Sequence, residues 1–189
     1  MANELIYGNQ FYFQNGYQSW AGGYLDTNGH SGNGALYNVS TAPTPTRGPG
    51  TGTWQILSTS GKAIGQPVQS GDTIYLRNLY ANGSYLDTNN WATAAQQSAG
   101  GMYALTTSAS VDRGPGTGRW RIFAQGASPT DRNVHAGDVI LLENLYQDSG
   151  GFLETDQLGT ASGSIYSVCT NAYFNRAEDV GLWKAFAAQ

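Results

Sequence analysis

Phe11-Tyr-Phe-Gln-Asn-Gly-Tyr17, Ile74-Tyr-Leu-Arg-Asn-Leu-Tyr80 and Ile140-Leu-Leu-Glu-Asn-Leu-Tyr146 are three versions of one heptapeptide. A second block follows each: Gly23-Tyr-Leu-Asp-Thr27, Ser84-Tyr-Leu-Asp-Thr88 and Gly151-Phe-Leu-Glu-Thr155. A third is Leu36-Tyr-Asn-Val39, Met102-Tyr-Ala-Leu105 and Ile165-Tyr-Ser-Val168. The fourth is Gly50-Thr-Gly-Thr-Trp-Gln-Ile56, Gly116-Thr-Gly-Arg-Trp-Arg-Ile122 and the looser Val180-Gly-Leu-Trp-Lys-Ala-Phe186. Four blocks in one order, three times over, mark a triplicated unit. The repeats run approximately over 5–62, 68–126 and 134–187.

Within the blocks apolar residues alternate with polar ones. Phe11 and Phe13 flank Tyr12, Ile74 and Leu76 flank Tyr75, and Trp54 and Ile56 flank Gln55. That is the period of a strand with one buried face. Gly, Asn and Ser fill the stretches between, as turns require. No window has a helical period; Trp91 to Ala99 is the best place for a single turn. Twelve strands in successive antiparallel hairpins are expected. One unit cannot bury its own apolar face, whereas three can if their first and last strands close a small barrel. The expected fold is therefore all-β: a β-trefoil over 1–189 as one domain, with a six-stranded barrel and a hairpin cap. A three-bladed propeller is disfavoured because propellers typically carry 4–8 blades.

Composition narrows the function. The 189 residues carry 12% charged and 40% hydrophobic residues, with 26 Gly and a net charge of −4. Such a chain is too apolar and too weakly charged for disorder. It lacks the basic footprint of a nucleic-acid binder. No stretch approaches a membrane span. Cys169 stands alone, so no intramolecular disulfide forms and multi-cysteine zinc sites are excluded. The first ten residues lack a charged start and an apolar stretch, which leads to the expectation of cytoplasmic synthesis without a signal peptide, with release by a non-classical route left open.

The second block holds the candidate chemistry. If Leu25 points inward, strand alternation turns Tyr24 and Asp26 outward; Asp87 beside Leu86 and Glu154 beside Leu153 follow suit. A carboxylate accepts sugar hydroxyls in charged hydrogen bonds, and an aromatic face covers the C–H face of a pyranose. An Asp-Thr pair also caps a following turn by bonding its side chains to the backbone of that turn. From these residues alone both readings stand.

The run Tyr24-Leu-Asp-Thr-Asn-Gly-His-Ser-Gly-Asn-Gly-Ala-Leu-Tyr37 resembles the ricin B-type lectin motif. There a Leu-Asp pair precedes a Gly/Asn/Ser turn, an apolar residue and an aromatic. The resemblance implies carbohydrate sites of Asp26 with Tyr37, Asp87 with Tyr103, and Glu154 with Tyr166. Tyr24, Trp20 and Trp91 are additional candidate contacts. The Gln-x-Trp signature, the paired cysteines and the sugar-holding Asn of that group have no counterpart here. The implied function is a multivalent lectin or agglutinin in defence or toxicity, with no catalysis and no cofactor or metal. The implied partners are glycans, galactose-type ones included; a homodimer is left open.

Other signals read structurally. Gly48-Pro-Gly-Thr-Gly52 and Gly114-Pro-Gly-Thr-Gly118 lack the Lys-Ser/Thr and helix of a phosphate loop. Asp26-Thr-Asn-Gly-His-Ser31 misplaces the glycine and closing Glu of a calcium loop. His30 and His135 do not recur and form no triad with Cys169. Asp26 and Asp87 occupy equivalent places in different units, which suits repeated sites rather than one glycosidase cleft. The competing class is a protease inhibitor or protein-interaction module acting through the Pro-rich loop 40–49, which carries Arg47. The repeated acid and aromatic favour the lectin.

Overall fold

The computed structural model describes residues 3–188; residues 1, 2 and 189, the ends of the expected domain, lie outside it. Every sequence block forms a strand. The first blocks form β1 (Gln10–Asn15), β5 (Thr73–Asn78) and β9 (Val139–Asn144). The second form β2 (Tyr24–His30), β6 (Ser84–Trp91) and β10 (Gly151–Leu158). The third form β3 (Tyr37–Ala42), β7 (Gly101–Ser108) and β11 (Tyr166–Asn171), and the fourth β4 (Trp54–Ser58), β8 (Trp120–Ala124) and β12 (Trp183–Ala187). One short helix, Ala94–Ser98, occupies the expected place, closed by a capping box between Thr93 and Gln96. No helix among the described residues is long and apolar enough to cross a membrane.

The strands join in one antiparallel sheet. Neighbours run β11-β3-β2-β1-β12-β9-β8-β5-β6-β7 and return to β11, closing a ring of ten strands. Two strands bridge it: β4 pairs with β1 and β5, and β10 with β9 and β11. This corrects the expected β-trefoil with a six-stranded barrel and a hairpin cap. The hairpins are laddered to the strands that precede them, through Gln14↔Tyr24, Arg77↔Tyr85 and Phe152↔Glu143. They are also laddered to one another, through Asn38↔Thr106, Cys169↔Ala104 and Ser167↔Ser40. A detached cap would leave strand edges with unpaired N–H and C=O groups; these ladders satisfy them. The third and fourth strands of a repeat are likewise no hairpin. β4 pairs instead with β1 and with β5 of the next repeat.

The alternation sorts the core. Leu25, Leu86, Leu153, Trp54, Trp120 and Trp183 are fully buried in one cluster, as expected, with Phe13, Ile56, Leu76, Ile122 and Leu142. Each indole N–H finds a backbone acceptor: Trp54 on Leu25 O, Trp120 on Leu86 O and Trp183 on Leu153 O, at 2.8, 3.1 and 2.9 Å. The tryptophan of the fourth strand thereby fixes the leucine of the second strand in its repeat. Buried aromatics need such a polar partner, and the repeat supplies the same one three times.

Candidate functional site

Each junction between repeats builds a pocket on the same scaffold. The asparagine ending the first block is buried: Asn15, Asn78 and Asn144. Its amide donates to the loop before the tryptophan strand. Asn78 reaches Thr51 O at 2.8 Å, Asn144 reaches Thr117 O at 2.9 Å, and Asn15 reaches Val180 O at 2.8 Å. Its carbonyl oxygen accepts from the backbone of the tyrosine two residues on: Tyr17, Tyr80 and Tyr146. One side chain thus places a tyrosine against the loop of the neighbouring repeat.

That loop is Arg47-Gly-Pro-Gly-Thr51 in the first repeat and Arg113-Gly-Pro-Gly-Thr117 in the second. Gly50 and Gly116 sit at φ +76° and +86°, where a Cβ would strike the carbonyls of Leu79 and Leu145. Only glycine suits both the left-handed backbone and the close approach. The loop folds over the outer side of the second strand, and this decides the fate of the acids. Asp26, Asp87 and Glu154 are fully buried, so their expected outward exposure is corrected. Arg47 Nη2 lies 2.6 Å from Asp26 Oδ1 and 2.7 Å from Thr27 O; the Thr51 hydroxyl donates to Asp26 Oδ2 at 2.8 Å. Arg113 and Thr117 repeat this on Asp87 at 3.0 and 2.9 Å. In the third repeat Arg176 Nε reaches Glu154 Oε1 at 2.9 Å, but Val180 stands where the threonine would be.

Burial raises the carboxyls of Asp26, Asp87 and Glu154 above their ordinary values, while the arginines and other donors pull them down. No face of these carboxylates reaches solvent, so none is placed to take a sugar hydroxyl directly. They hold the arginines, whose side chains remain 28%, 38% and 24% exposed. Arg47 is therefore tied down rather than offered from the tip of loop 40–49, as the inhibitor reading requires.

Three cavities lie beside the three arginines. The second-repeat cavity, about 400 Å³, is lined by Asn89, Trp91, Tyr103, Arg113, Pro115 and Tyr146, among others. Trp91 stacks on Tyr103 at 5.0 Å and 24°, and Tyr146 meets Tyr103 edge-on at 5.3 Å. The first-repeat cavity, about 300 Å³, is lined by Asn28, His30, Tyr37, Arg47, Pro49 and Tyr80. His30 lies 5.3 Å from Tyr37, and Tyr80 meets that ring edge-on at 5.1 Å. The third cavity, about 320 Å³, has Tyr17, Asp156, Gln157, Arg176 and Glu178. There Tyr166 meets Tyr17 edge-on, but Leu158 stands at the position of Trp91 and His30.

Of the expected contacts, Tyr37, Tyr103 and Trp91 line cavities. Tyr166 packs on a tyrosine of the third. Trp20 lines none of the three; Lys184 Nζ sits 3.9 Å over its ring. Tyr24 lines a separate cavity of about 400 Å³ with Tyr12 and Phe186. From the sequence, Arg113, Arg176, Tyr17, Tyr80 and Tyr146 carried no expected sugar-site role, and Arg47 stood out only as part of the Pro-rich loop. Their signal was present: Arg-Gly-Pro-Gly-Thr-Gly recurs unchanged, and so does Asn-x-Tyr.

By sequence the chain matches no protein-family model and no curated protein. By structure it resembles several solved proteins. The SDF2-like protein of Arabidopsis thaliana superposes with a TM-score of 0.72 at 16% identity, covering 97% of this chain and 94% of that one. A protein O-mannosyltransferase complex of S. cerevisiae, bound to the sugar donor, gives 0.68 at 15% identity, over 98% of this chain and 26% of that one. The receptor binding domain of botulinum neurotoxin C/D mosaic serotype gives 0.65 at 13%, over 98% and 43%. At these identities the likeness shows the fold.

Proposed function

We propose that the protein is a non-catalytic carbohydrate-binding protein whose sugar sites are the first and second junction cavities. The observation that carries this reading is the stacked Trp91–Tyr103 pair beside Arg113, with a tilted His30–Tyr37 pair at the equivalent place beside Arg47. A pyranose presents an apolar C–H face and a rim of hydroxyls. Rings cover the first with little loss of rotamer freedom, and a guanidinium and an Asn amide donate to the second. The resemblance to ricin B-type lectins is kept with one altered role: the acids position donors instead of touching sugar. Among the similar structures, one transferase complex holds a sugar donor and one toxin domain binds a receptor, both in keeping with glycan recognition.

Two sites permit cross-linking. Individually weak pockets gain strength by avidity, which is how an agglutinin would work. A glycan array, with galactose-type sugars first among the probes, identifies the ligand. Trp91→Ala and Tyr103→Ala should then each remove about one site from the calorimetric stoichiometry. Trp91→Ala combined with Tyr37→Ala should abolish agglutination in a folded protein. Unchanged glycan binding in the combined variant, or release of sugar from glycosides by the parent, would refute the reading.

A further inference from the structure

The third repeat departs from the other two at three aligned positions at once. Asp26 and Asp87 become Glu154; Asn28 and Asn89 become Asp156; Ser40 and Thr106, cross-strand partners of the aspartates, become Cys169. Each change introduces or lengthens a side chain able to bind a metal, and the three converge. A carboxylate oxygen from Glu154, one from Asp156 and Cys169 Sγ lie within 4.8 Å of one another. We infer that this cluster is a zinc(II) site, distinct from the two sugar cavities.

Two observations beyond the cluster point to a bound cation. First, charge does not balance. Arg47 answers the single Asp26 and Arg113 the single Asp87, whereas Arg176 faces both Glu154 and Asp156, at 2.9 and 3.4 Å. One negative charge in excess stays out of water, a costly arrangement without a counter-charge. Second, two oxygens are stranded. Glu154 Oε1 is crowded with donors, from Arg176, from Asn171 at 2.9 Å and from the Cys169 thiol at 3.9 Å. Glu154 Oε2 and Asp156 Oδ2 are buried with no hydrogen-bond partner among the described residues. The hydroxyl that serves Oδ2 of Asp26 and Asp87 is lost to Val180. Glu154 is fully buried and the Asp156 side chain 7% exposed, so ordinary surface solvation does not explain them.

The donor set selects the metal. One sulfur with two carboxylate oxygens suits borderline Zn(II), while Mg(II) and Ca(II) take oxygen alone. Tetrahedral zinc sets such donors about 3.3–3.7 Å apart, a contraction within side-chain reach of three groups that already lie within 4.8 Å of one another. A fourth position would open to the cavity that Asp156 lines. Binding requires the thiolate, so the Cys169 proton passes to solvent and affinity rises with pH. Arg176 keeps Glu154 Oε1 and Asp156 Oδ1, leaving Oε2 and Oδ2 for the metal.

The test uses zinc sulfate and cobalt chloride as probes on the whole chain. Surface His135, within 3.7 and 3.5 Å of Asp131 and Asp138, is first removed as a competing site by His135→Gln. In that background the protein should retain one zinc per chain after dialysis. Cobalt(II) should give a thiolate-to-metal absorption band in the near ultraviolet. Asp156→Asn and Cys169→Ser install the residues of the other repeats, so folding is accommodated, and a thermal melt confirms it. Each should weaken zinc at least tenfold, and Cys169→Ser should erase the cobalt band. Substoichiometric zinc, a missing cobalt band in the parent, or less than tenfold weakening in either folded variant would overturn the assignment.

Discussion

Removing Arg113 should cost more stability than neutralising the acid it holds, although the arginine is the more exposed of the two. Asp87 is fully buried, and among the described residues its one other side-chain donor is the Thr117 hydroxyl. Arg113→Ala strands that carboxylate. Breaking a buried pair in this way costs about 3–5 kcal/mol, and the 38% exposure of Arg113 places the expectation near the low end, at about 3 kcal/mol. Asp87→Asn keeps the shape and leaves Arg113 its bond to Thr88 O at 2.8 Å and access to water. A lost charged hydrogen bond, offset by relief from burying a charge, gives about 1–2 kcal/mol. Combining the two should recover about 1–2 kcal/mol relative to Arg113→Ala, because no stranded charge remains.

Acid provides an independent check. Burial already sets the Asp87 carboxyl above its unfolded value in the parent, despite Thr117 and Arg113. An acid raised by folding favours the folded state fully below the unfolded pKa, and that advantage is lost as pH rises through the folded one. Without Arg113 the folded pKa moves higher still. The deficit of Arg113→Ala against the parent should therefore be small near pH 4 and reach its full size by neutral pH. Urea unfolding of the four proteins from pH 4 to 8 measures this. Additive losses in the double variant, or a deficit that does not shrink in acid, would refute the stranded-carboxylate reasoning.

Trp120→Ala should cost about 3–5 kcal/mol in the same assay, since the side chain is fully buried and also leaves Leu86 O without its donor; an unchanged midpoint would remove it from the core. Gly116→Ala should cost about 1–3 kcal/mol, because the residue sits at φ +86° against Leu145 O, whereas the same change at open Gly61 should cost no more than about 1 kcal/mol. Asp72 is pushed up by burial but held below its ordinary value by Lys62, Gln69 N and Tyr7. Its contribution is present above the ordinary carboxylate value and lost as pH falls through the depressed one, so Asp72→Asn should flatten the acid limb of the stability profile.

The strands were legible because alternation and repetition agree in every block. Phe11/Phe13 and Ile74/Leu76 face the core as their period requires. The faces of the second block were misjudged for a physical reason. Alternation shows that Asp26 points away from Leu25, but not whether that side meets water. The Arg47–Thr51 loop covers it, leaving Leu25, Asp26, Thr27 and Asn28 all buried in a row. A Gly-Pro-Gly sequence announces a turn; where the turn lands depends on Asn78 of the next repeat, whose amide catches Thr51 O. Sheet closure was hidden similarly, since contacts such as Cys169↔Ala104 join residues of different repeats.

The same dependence explains why the cavities lie at junctions. Tyr37 and Arg47 of the first repeat need Tyr80 of the second; Tyr103 and Arg113 of the second need Tyr146 of the third; Arg176 of the third meets Tyr17 of the first. No repeat owns a complete pocket, and the third borrows its tyrosine from the start of the chain. A junction built from two repeats can diverge through either one. The third has done so through its own second and third strands and its loop: Leu158 removes the stacking ring, Val180 the hydroxyl donor, and Asp156 and Cys169 add metal-binding groups. Asn15 still anchors the loop and Trp183 still holds Leu153 O. The scaffold bonds persist where the pocket chemistry has changed, as expected if the first serve folding and the second serve ligands.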